Sequence, residues 1–466
     1  MTAAWNAQKT GPDVAGRSLA RTAIERLRSR LSGDIVHSAD ARYDSARRVW
    51  NGMIDRRPAA IVYCAGVEDV RRCIALASEG GVRFAVRSGG HNIAGVSICD
   101  GGLVIDLSRM NGVAVNVRRR TAQAEGGALL RDLDAATQAH GLATTTGVNS
   151  DTGLVGLTLG GGIGRLGRKH GLACDNMLSA EIIAADGRLL TASDEENPDL
   201  YWALRGGGGN FGVVTSIAYR THPLGPAVLA GSLVYDWEHA RRALRLYANA
   251  AAVAPDELCL DGALHSLPGG GFGFSISVCY AGPVAEGERI IGLLRRAAPT
   301  IADRVGVLRY AELQRAGDTT FPHGRRYYWK AQFLSDLSDD LIGALLDRFP
   351  AVASPQSLFV LQQVGGAIGR VPAEATAYAN RAAAYDAFPV SIWTEPGDDE
   401  ANVAWARGMY DAVRPFATGG VYVNNLGDEG QDRIRAAYGV NYDRLMSVKR
   451  KFDPGNIFRS NQNLTV

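Results

Sequence analysis

Two side chains able to attack carbon, His91 and Cys174, each sit inside a run of glycines. The first run is Arg87-Ser88-Gly89-Gly90-His91-Asn92-Ile93-Ala94-Gly95, followed by Val96 and Ser97. The second takes in Gly147, Thr152, Gly153, Gly156, Gly160, Gly161, Gly162, Ile163 and Gly164, and passes Gly171 to reach Cys174 and Asp175. A third is Arg205-Gly206-Gly207-Gly208-Gly209-Asn210-Phe211-Gly212. Backbone N–H groups on a turn without side chains can cradle a pyrophosphate. One such turn is also what a glycine-rich hairpin with an incidental histidine would look like. Three, each beside a strand, point to one long ligand lying over many amides. Neither a Gly-x-Gly-x-x-Gly fingerprint opening a helix nor a P-loop is present. A lone cysteine is usually an inert small hydrophobe, but Arg168, Lys169 and His170 just before Cys174 would favour its thiolate if they point at it. His91 and Cys174 offer too few ligands at usable spacing for a metal, so none is expected.

The elements that must position these residues are legible. Ala59–Tyr63 reads as a strand, and Val67–Ser78 as a helix with apolar residues at three- and four-residue steps, stopped by Gly80-Gly81. Val82–Val86 is a second strand, so the unit implies a parallel pair whose second strand empties into the His91 turn. A helix is expected from Leu19 to Leu31 after a loose tail to about residue 17, and another from Leu129 to His140. Glu181–Ala185 and Leu189–Ala192 form a hairpin around Asp186-Gly187. Past Pro223–Pro226 the glycine clusters give way to longer strands and helices, where a fresh apolar domain begins.

With 466 residues, 46% apolar content, 21% charge and a net charge of +2, the chain has room for two or three soluble domains. That charge argues against nucleic acid and anionic membranes as partners. The polar start and the absence of a membrane-length run lead to an expected cytoplasmic location, and the six scattered cysteines to reduced thiols.

Arg87-Ser88-Gly89-Gly90-His91-Asn92, the Gly160–Gly164 turn, Arg168-Lys169-His170-Gly171-Leu172-Ala173-Cys174-Asp175-Asn176, Tyr422-Val423-Asn424-Asn425, the Tyr438–Leu445 run and Asp453–Asn463 together resemble the berberine-bridge-enzyme-like flavoprotein oxidases of the vanillyl-alcohol oxidase superfamily. The resemblance implies a two-domain α+β fold. A discontinuous FAD domain covers residues 1–223 and is rejoined by 421–466. A substrate domain over 224–420 lays an antiparallel sheet, backed by helices, on the flavin.

It also implies FAD held by two bonds, from His91 to the flavin 8-methyl carbon and from Cys174 to carbon 6, with Ile182, Asn461 and Asn463 among the further cofactor contacts. The expected reaction takes hydride from a CH–OH group and gives hydrogen peroxide from dioxygen, on a carbohydrate, glycosylated or polycyclic metabolite. Amine oxidation, another electron acceptor and a flavin carrier without turnover stay open. The expected protein is a monomer or homodimer. Tyr422 matches the first tyrosine of a Tyr-x-Asn-Tyr pattern that supplies the base in alcohol-oxidising relatives, and Asn425 replaces the second. Arg326 or Lys330 could lower its pKa; Gln363, a candidate substrate or flavin contact, and Tyr328 are the further candidate catalytic residues. Plant alkaloid-type relatives use a glutamate on a strand. Here that strand is expected at about 389–393, aligned near Trp393, with Glu395 on a solvated turn. Ile163 matches a flavin-lining position that affects oxygen access.

Overall fold

The structure, a computed structural model, describes residues 21–465. The expected tail and the start of the first helix lie outside the described residues; that helix is seen over Arg21–Arg28. Four short strands follow: Asp34–His37, Ala60–Tyr63, Phe84–Arg87 and Leu103–Asp106. The Val67–Gly80 helix buries Val70, Cys73, Ile74 and Ala77, one face at helical spacing. It stops at Gly81, whose φ of +62° lets its amide turn back onto Ala77 and Ser78.

The strands that this helix joins are parallel but not adjacent. Leu103–Asp106, buried at every residue, inserts between them and pairs with both. Phe84–Arg87 thus delivers the His91 turn at the carboxyl end of a parallel set, where open α/β sheets bind ligands.

A second sheet runs Val113–Asn116, Thr121–Glu125, Val213–Arg220, Met177–Ile183, Leu189–Ala192, all antiparallel. Its core of Leu159, Trp202, Phe211 and Tyr219 is completed by Val421, Leu426, Tyr438, Leu445 and Leu464 from the end of the chain. A buried ion pair fixes that return. Lys449 Nζ donates to Asp453 at 2.6 Å and to the carbonyls of Asn210 and Phe458 at 2.8 and 2.9 Å. Asp453 in turn accepts the amides of Ile457 and Phe458.

The third sheet has nine strands, with Ala227–Asp236, Phe272–Tyr280, Leu258–Ser266, Leu358–Gln363, Tyr385–Trp393 and Arg326–Trp329 in that spatial order and Gln332–Leu334 beside Tyr385–Trp393. Helices Ala240–Ala252, Asp339–Arg348 and Asp399–Val413 cover one face, packing Tyr247, Leu341, Leu345, Trp405 and Met409 against Phe359, Leu361, Tyr385 and Ala387. Side chains alternate along a strand, so Val360, Phe388, Val390 and Ile392 lie on the opposite face, against Trp50 and Ile93 of the N-terminal half. The fold is α+β, and among the described residues no helix is long and apolar enough to cross a membrane.

Candidate functional site

The floor of the site is backbone. Gly89 and Gly153 come so close that a methyl group on either would meet the other's amide nitrogen, at 2.3 and 2.5 Å, so the first two glycine runs form one surface. At Gly161 and Gly162 the backbone turns through φ of +123° and +86°, with Tyr378, Tyr422 and Ala173 filling the side-chain space. Several buried polar atoms on the segments that carry these glycines, and on the end of the chain, have no partner among the described residues. They include Arg87 Nη1, Ser88 Oγ, Ser97 Oγ, Thr144 Oγ1, Thr145 Oγ1, Asn461 Oδ1 and Asn463 Oδ1. Such groups are costly to bury unsatisfied. Such atoms, with Ser88 and Arg87 beside the bare backbone of Gly153 and Gly90, suit a polyanionic, hydrogen-bonding cofactor, and FAD fits that donor and acceptor set.

The rest of Arg87 is held by Asp106 in a buried ion pair. Ile182 is fully buried in its strand beneath Gly212. A side chain at Gly156 would meet open space, and Gly164 passes directly beneath the Thr146 carbonyl.

His91 stands at one end. Trp50 stacks on its ring with centroids 5.2 Å apart. Its Nδ1 is 3.5 Å from Thr152 Oγ1, and its Nε2 is 3.3 Å from Asp151 Oδ1. The second oxygen of Asp151 accepts from His323 Nε2 at 2.8 Å. The ligand-capable atoms of His91, Asp151 and His323 lie within 4.8 Å of one another, a grouping that residues 60 to 232 positions apart do not announce in sequence.

Cys174 stands at the other end, fully buried among Ile163, Leu172, Phe333, Val364, Tyr378 and Tyr422. The cations expected beside it point elsewhere. Arg168 donates to the carbonyls of Leu258, Val364 and Ala254, and Lys169 to that of Ala281. The neighbour that acts on Cys174 is Arg381, which clamps Asp175 with two hydrogen bonds of 2.7 Å. Burial raises the Cys174 thiol and the Asp175 charge adds to it, while Arg381 works in the opposite direction.

Over the floor, Tyr422 opens a short 3-10 turn at Val423–Asn425. Its hydroxyl oxygen accepts three N–H groups: Gly162 at 2.9 Å, Ile163 at 3.2 Å and Asn424 Nδ2 at 2.7 Å. Asn425 then reaches the nine-stranded sheet, where its Nδ2 donates at 2.7 Å to Asp386. Asp386 is fully buried, and its other oxygen has no partner among the described residues. Burial pushes its carboxyl up to about 7, against the single lowering contact from Asn425. It is the one acid of the Tyr385–Trp393 strand, seven residues before Trp393, near which the family resemblance aligns the glutamate of plant alkaloid-type relatives.

Strand alternation accounts for that displacement and for two more. Asp386 pairs with Gln362 and Phe333, on the face toward Tyr422 and Cys174. Trp393 is on the other face, donating to Asp399, and Glu395 is exposed. Gln363, expected at the site, also faces the helices. Its Oε1 accepts from Leu260 N at 2.8 Å, and its Nε2 donates to Ala251 O at 2.9 Å. Tyr328 likewise packs on the helix side and accepts from Arg407. Neither reaches the floor; Gln362 and Trp329, one residue away from each, are on the facing side. Arg326 and Lys330 are paired with Asp399 and Glu429, so neither serves Tyr422.

Comparison with known proteins agrees with this geometry. Residues 58–193 match the family model of an FAD binding domain, and residues 421–465 that described as berberine and berberine like. The chain is 32% identical over 449 residues to the FAD-linked oxidoreductase YgaK of Bacillus subtilis, covering 94% of this chain and 98% of that one. It is 31% identical over 458 residues to (R)-6-hydroxynicotine oxidase of Paenarthrobacter nicotinovorans, covering 93% and 97%. Among solved structures, 6-hydroxy-D-nicotine oxidase from Arthrobacter nicotinovorans superposes with a TM-score of 0.86 at 27% identity, covering 93% of this chain and 98% of that one. A xylooligosaccharide oxidase from Myceliophthora thermophila shares the fold, with a TM-score of 0.85 at 24% identity over 95% and 99%.

Proposed function

This chain belongs to the berberine-bridge-enzyme-like FAD-linked oxidoreductases, and from that premise we propose that it is an oxidase of CH–OH groups, with flavin bonded to His91 and Cys174. Its substrate is an alcohol or hemiacetal of a carbohydrate, glycosylated or polycyclic metabolite, and dioxygen is the second substrate. FAD supplies the redox chemistry when bound: it accepts a hydride from the substrate carbon and passes two electrons to dioxygen, which leaves as hydrogen peroxide.

The observation that carries this proposal is Asp386. An alcohol carbon gives up hydride readily only as its hydroxyl proton departs, so the site needs a base close to neutrality. Asp386, raised to about 7 and held through one oxygen by Asn425, has its second oxygen available for that proton. Tyr422, the base expected from sequence, takes a different part. Burial, with the Asp386 charge, pushes its proton affinity up by more than the N–H groups of Ile163, Asn424 and Gly162 take away. It ties the glycine turn to the Asn424-Asn425 segment and so sets Asn425 against Asp386.

A second reading, oxidation of an amine C–N bond, is favoured by the similarity to (R)-6-hydroxynicotine oxidase. A neutral amine pushes hydride out with its own lone pair and needs no base. Peroxide release from cellobiose and xylobiose against 6-hydroxynicotine separates the two. Turnover of amines alone, unaffected by Asp386→Asn, would refute the alcohol assignment.

A further inference from the structure

His91 does not stand alone, and its two partners have no part in the reaction above. Asp151 lies in the Asn149–Thr152 turn of the FAD domain. His323 lies in the segment between Arg315 and Arg326 that crosses over from the other domain. That segment is fastened on both sides of His91. Ser150 N and Oγ both donate to Asp318, at 2.9 and 2.6 Å. On the other side Gly324 N donates to Trp50 O, Gly52 N to Arg325 O, and Trp50 Nε1 to Phe321 O. Trp50, pinned face to face on Tyr327 at 3.7 Å, supports the His91 ring from one side. His323 approaches it edge-on at 5.2 Å from another. The Asp151 carboxylate is therefore held between two imidazoles that belong to different domains.

We propose that Asp151 and His323 form a proton-accepting pair that makes His91 the nucleophile for its own attachment to flavin. The proposal rests on the covalent reading of His91 given above. Attachment replaces one C–H bond of the ring methyl and one N–H bond of imidazole by a C–N bond. The two protons and two electrons released go to dioxygen, giving hydrogen peroxide. An imidazole can form that bond only through a nitrogen that carries a lone pair.

Asp151 Oδ1, opposite Nε2, draws the ring proton to Nε2 and leaves the lone pair at Nδ1. As Nδ1 acquires its bond, Nε2–H becomes acidic and passes its proton to Asp151. Asp151, whose second oxygen is held by the Nε2–H of His323, releases that proton to water beside the His323 ring, whose side chain is 56% exposed. Burial would raise the Asp151 carboxyl, but the two histidines outweigh it and keep it charged across the neutral range. It is thus a relay and an orienting group rather than a store of protons.

The experiment is made in the full chain carrying Cys174→Ala, so that His91 is the one route to a covalent flavin. Apoprotein from riboflavin-starved cells is mixed with FAD, and covalent flavin is followed by intact mass and by colour in acid precipitates. Non-covalent binding is read from quenching of flavin fluorescence. The parent should incorporate flavin and His91→Ala should not; a parent that incorporates none refutes the covalent reading and, with it, the pair. Given incorporation by the parent, Asp151→Asn and His323→Ala should bind FAD yet incorporate it on the order of 10²-fold more slowly. Asp151→Glu should recover part of the rate. Added imidazole should speed His323→Ala, whose exposed position admits it, and leave Asp151→Asn slow. Incorporation at the parent rate in both variants, or a slow His323→Ala that imidazole does not help, overturns the proposal. Should Asp151→Asn fail to bind FAD, the His323→Ala and imidazole arms decide it.

Discussion

Replacing Asp386 by asparagine keeps the shape of the side chain and an oxygen for Asn425 to bond, but removes the group that can take a proton. With a carboxyl at about 7, the site is about half ionised at pH 7, about one tenth at pH 6 and about nine tenths at pH 8. Flavin reduction in the wild-type protein should therefore climb nearly tenfold from pH 6 to pH 8 and then level off. General base catalysis contributes roughly 10²–10⁴-fold. The variant should lose that factor at pH 8 and show no such rise with pH.

The same carboxyl makes an opposite prediction for stability. Its folded pKa lies above the ordinary value of 3.8, so the fold prefers the neutral form. The penalty is absent below about pH 4, grows as pH rises through about 7, and is constant above. Three units correspond to an upper limit of about 4 kcal/mol for this fully buried group. Asp386→Asn should then be at least as stable as wild type at pH 8 and gain nothing at pH 4. Anaerobic stopped-flow reduction with the best-used sugar of the screen measures the first effect, and thermal unfolding of flavin-loaded protein at the two pH values the second. A variant that keeps both its rate and its pH dependence would remove Asp386 from the mechanism. One that is less stable than wild type at pH 8 would show that the carboxylate is satisfied by contacts the buried Oδ1 lacks here.

Gln363→Ala should cost about 1–3 kcal/mol of stability by leaving the Leu260 amide unpaired and removing one donor from the Ala251 carbonyl, with kcat/KM of the folded protein unchanged. Gln362→Ala, on the facing side of the same strand, should shift KM or kcat and leave the melting temperature nearly alone. Tyr422→Phe strips one acceptor from three N–H groups and should destabilise the protein by about 1–3 kcal/mol, yet preserve the rise in flavin reduction near pH 7 that belongs to Asp386. A Tyr422→Phe protein without that rise would return the base to Tyr422. Lys449→Met leaves Asp453 charged and buried and should cost about 3–5 kcal/mol, loosening the 449–464 return and lowering flavin content measured by absorbance.

What the sequence made visible was periodic or glycine-marked, and what it hid was a matter of parity and of pairing across the fold. The Val67–Gly80 helix declares itself through its apolar spacing and its glycine stop, and the His91 turn as one of three glycine runs that each lie beside a strand. The strands Leu358–Gln363 and Arg326–Trp329 are rich in apolar and aromatic residues. The face each residue takes is not marked, because a period of two makes an error of one residue an inversion. Gln363 for Gln362, and Tyr328 for its neighbours on either side, are that error. In the Tyr385–Trp393 strand nearly every position is buried, so no alternation of polar and apolar residues marks the inner face. Asp386 betrays itself only as the one acid in the strand, which a buried central strand would not carry without a reason. Arg381 and His323 could not be matched to Cys174 and His91 from spacing, since 207 and 232 residues separate them. Adjacency in sequence favoured Arg168 and Lys169 instead, and tertiary carbonyls had already engaged both. An acid in an otherwise apolar buried strand is thus a stronger pointer to the reacting end of such a site than a cation placed close by in sequence.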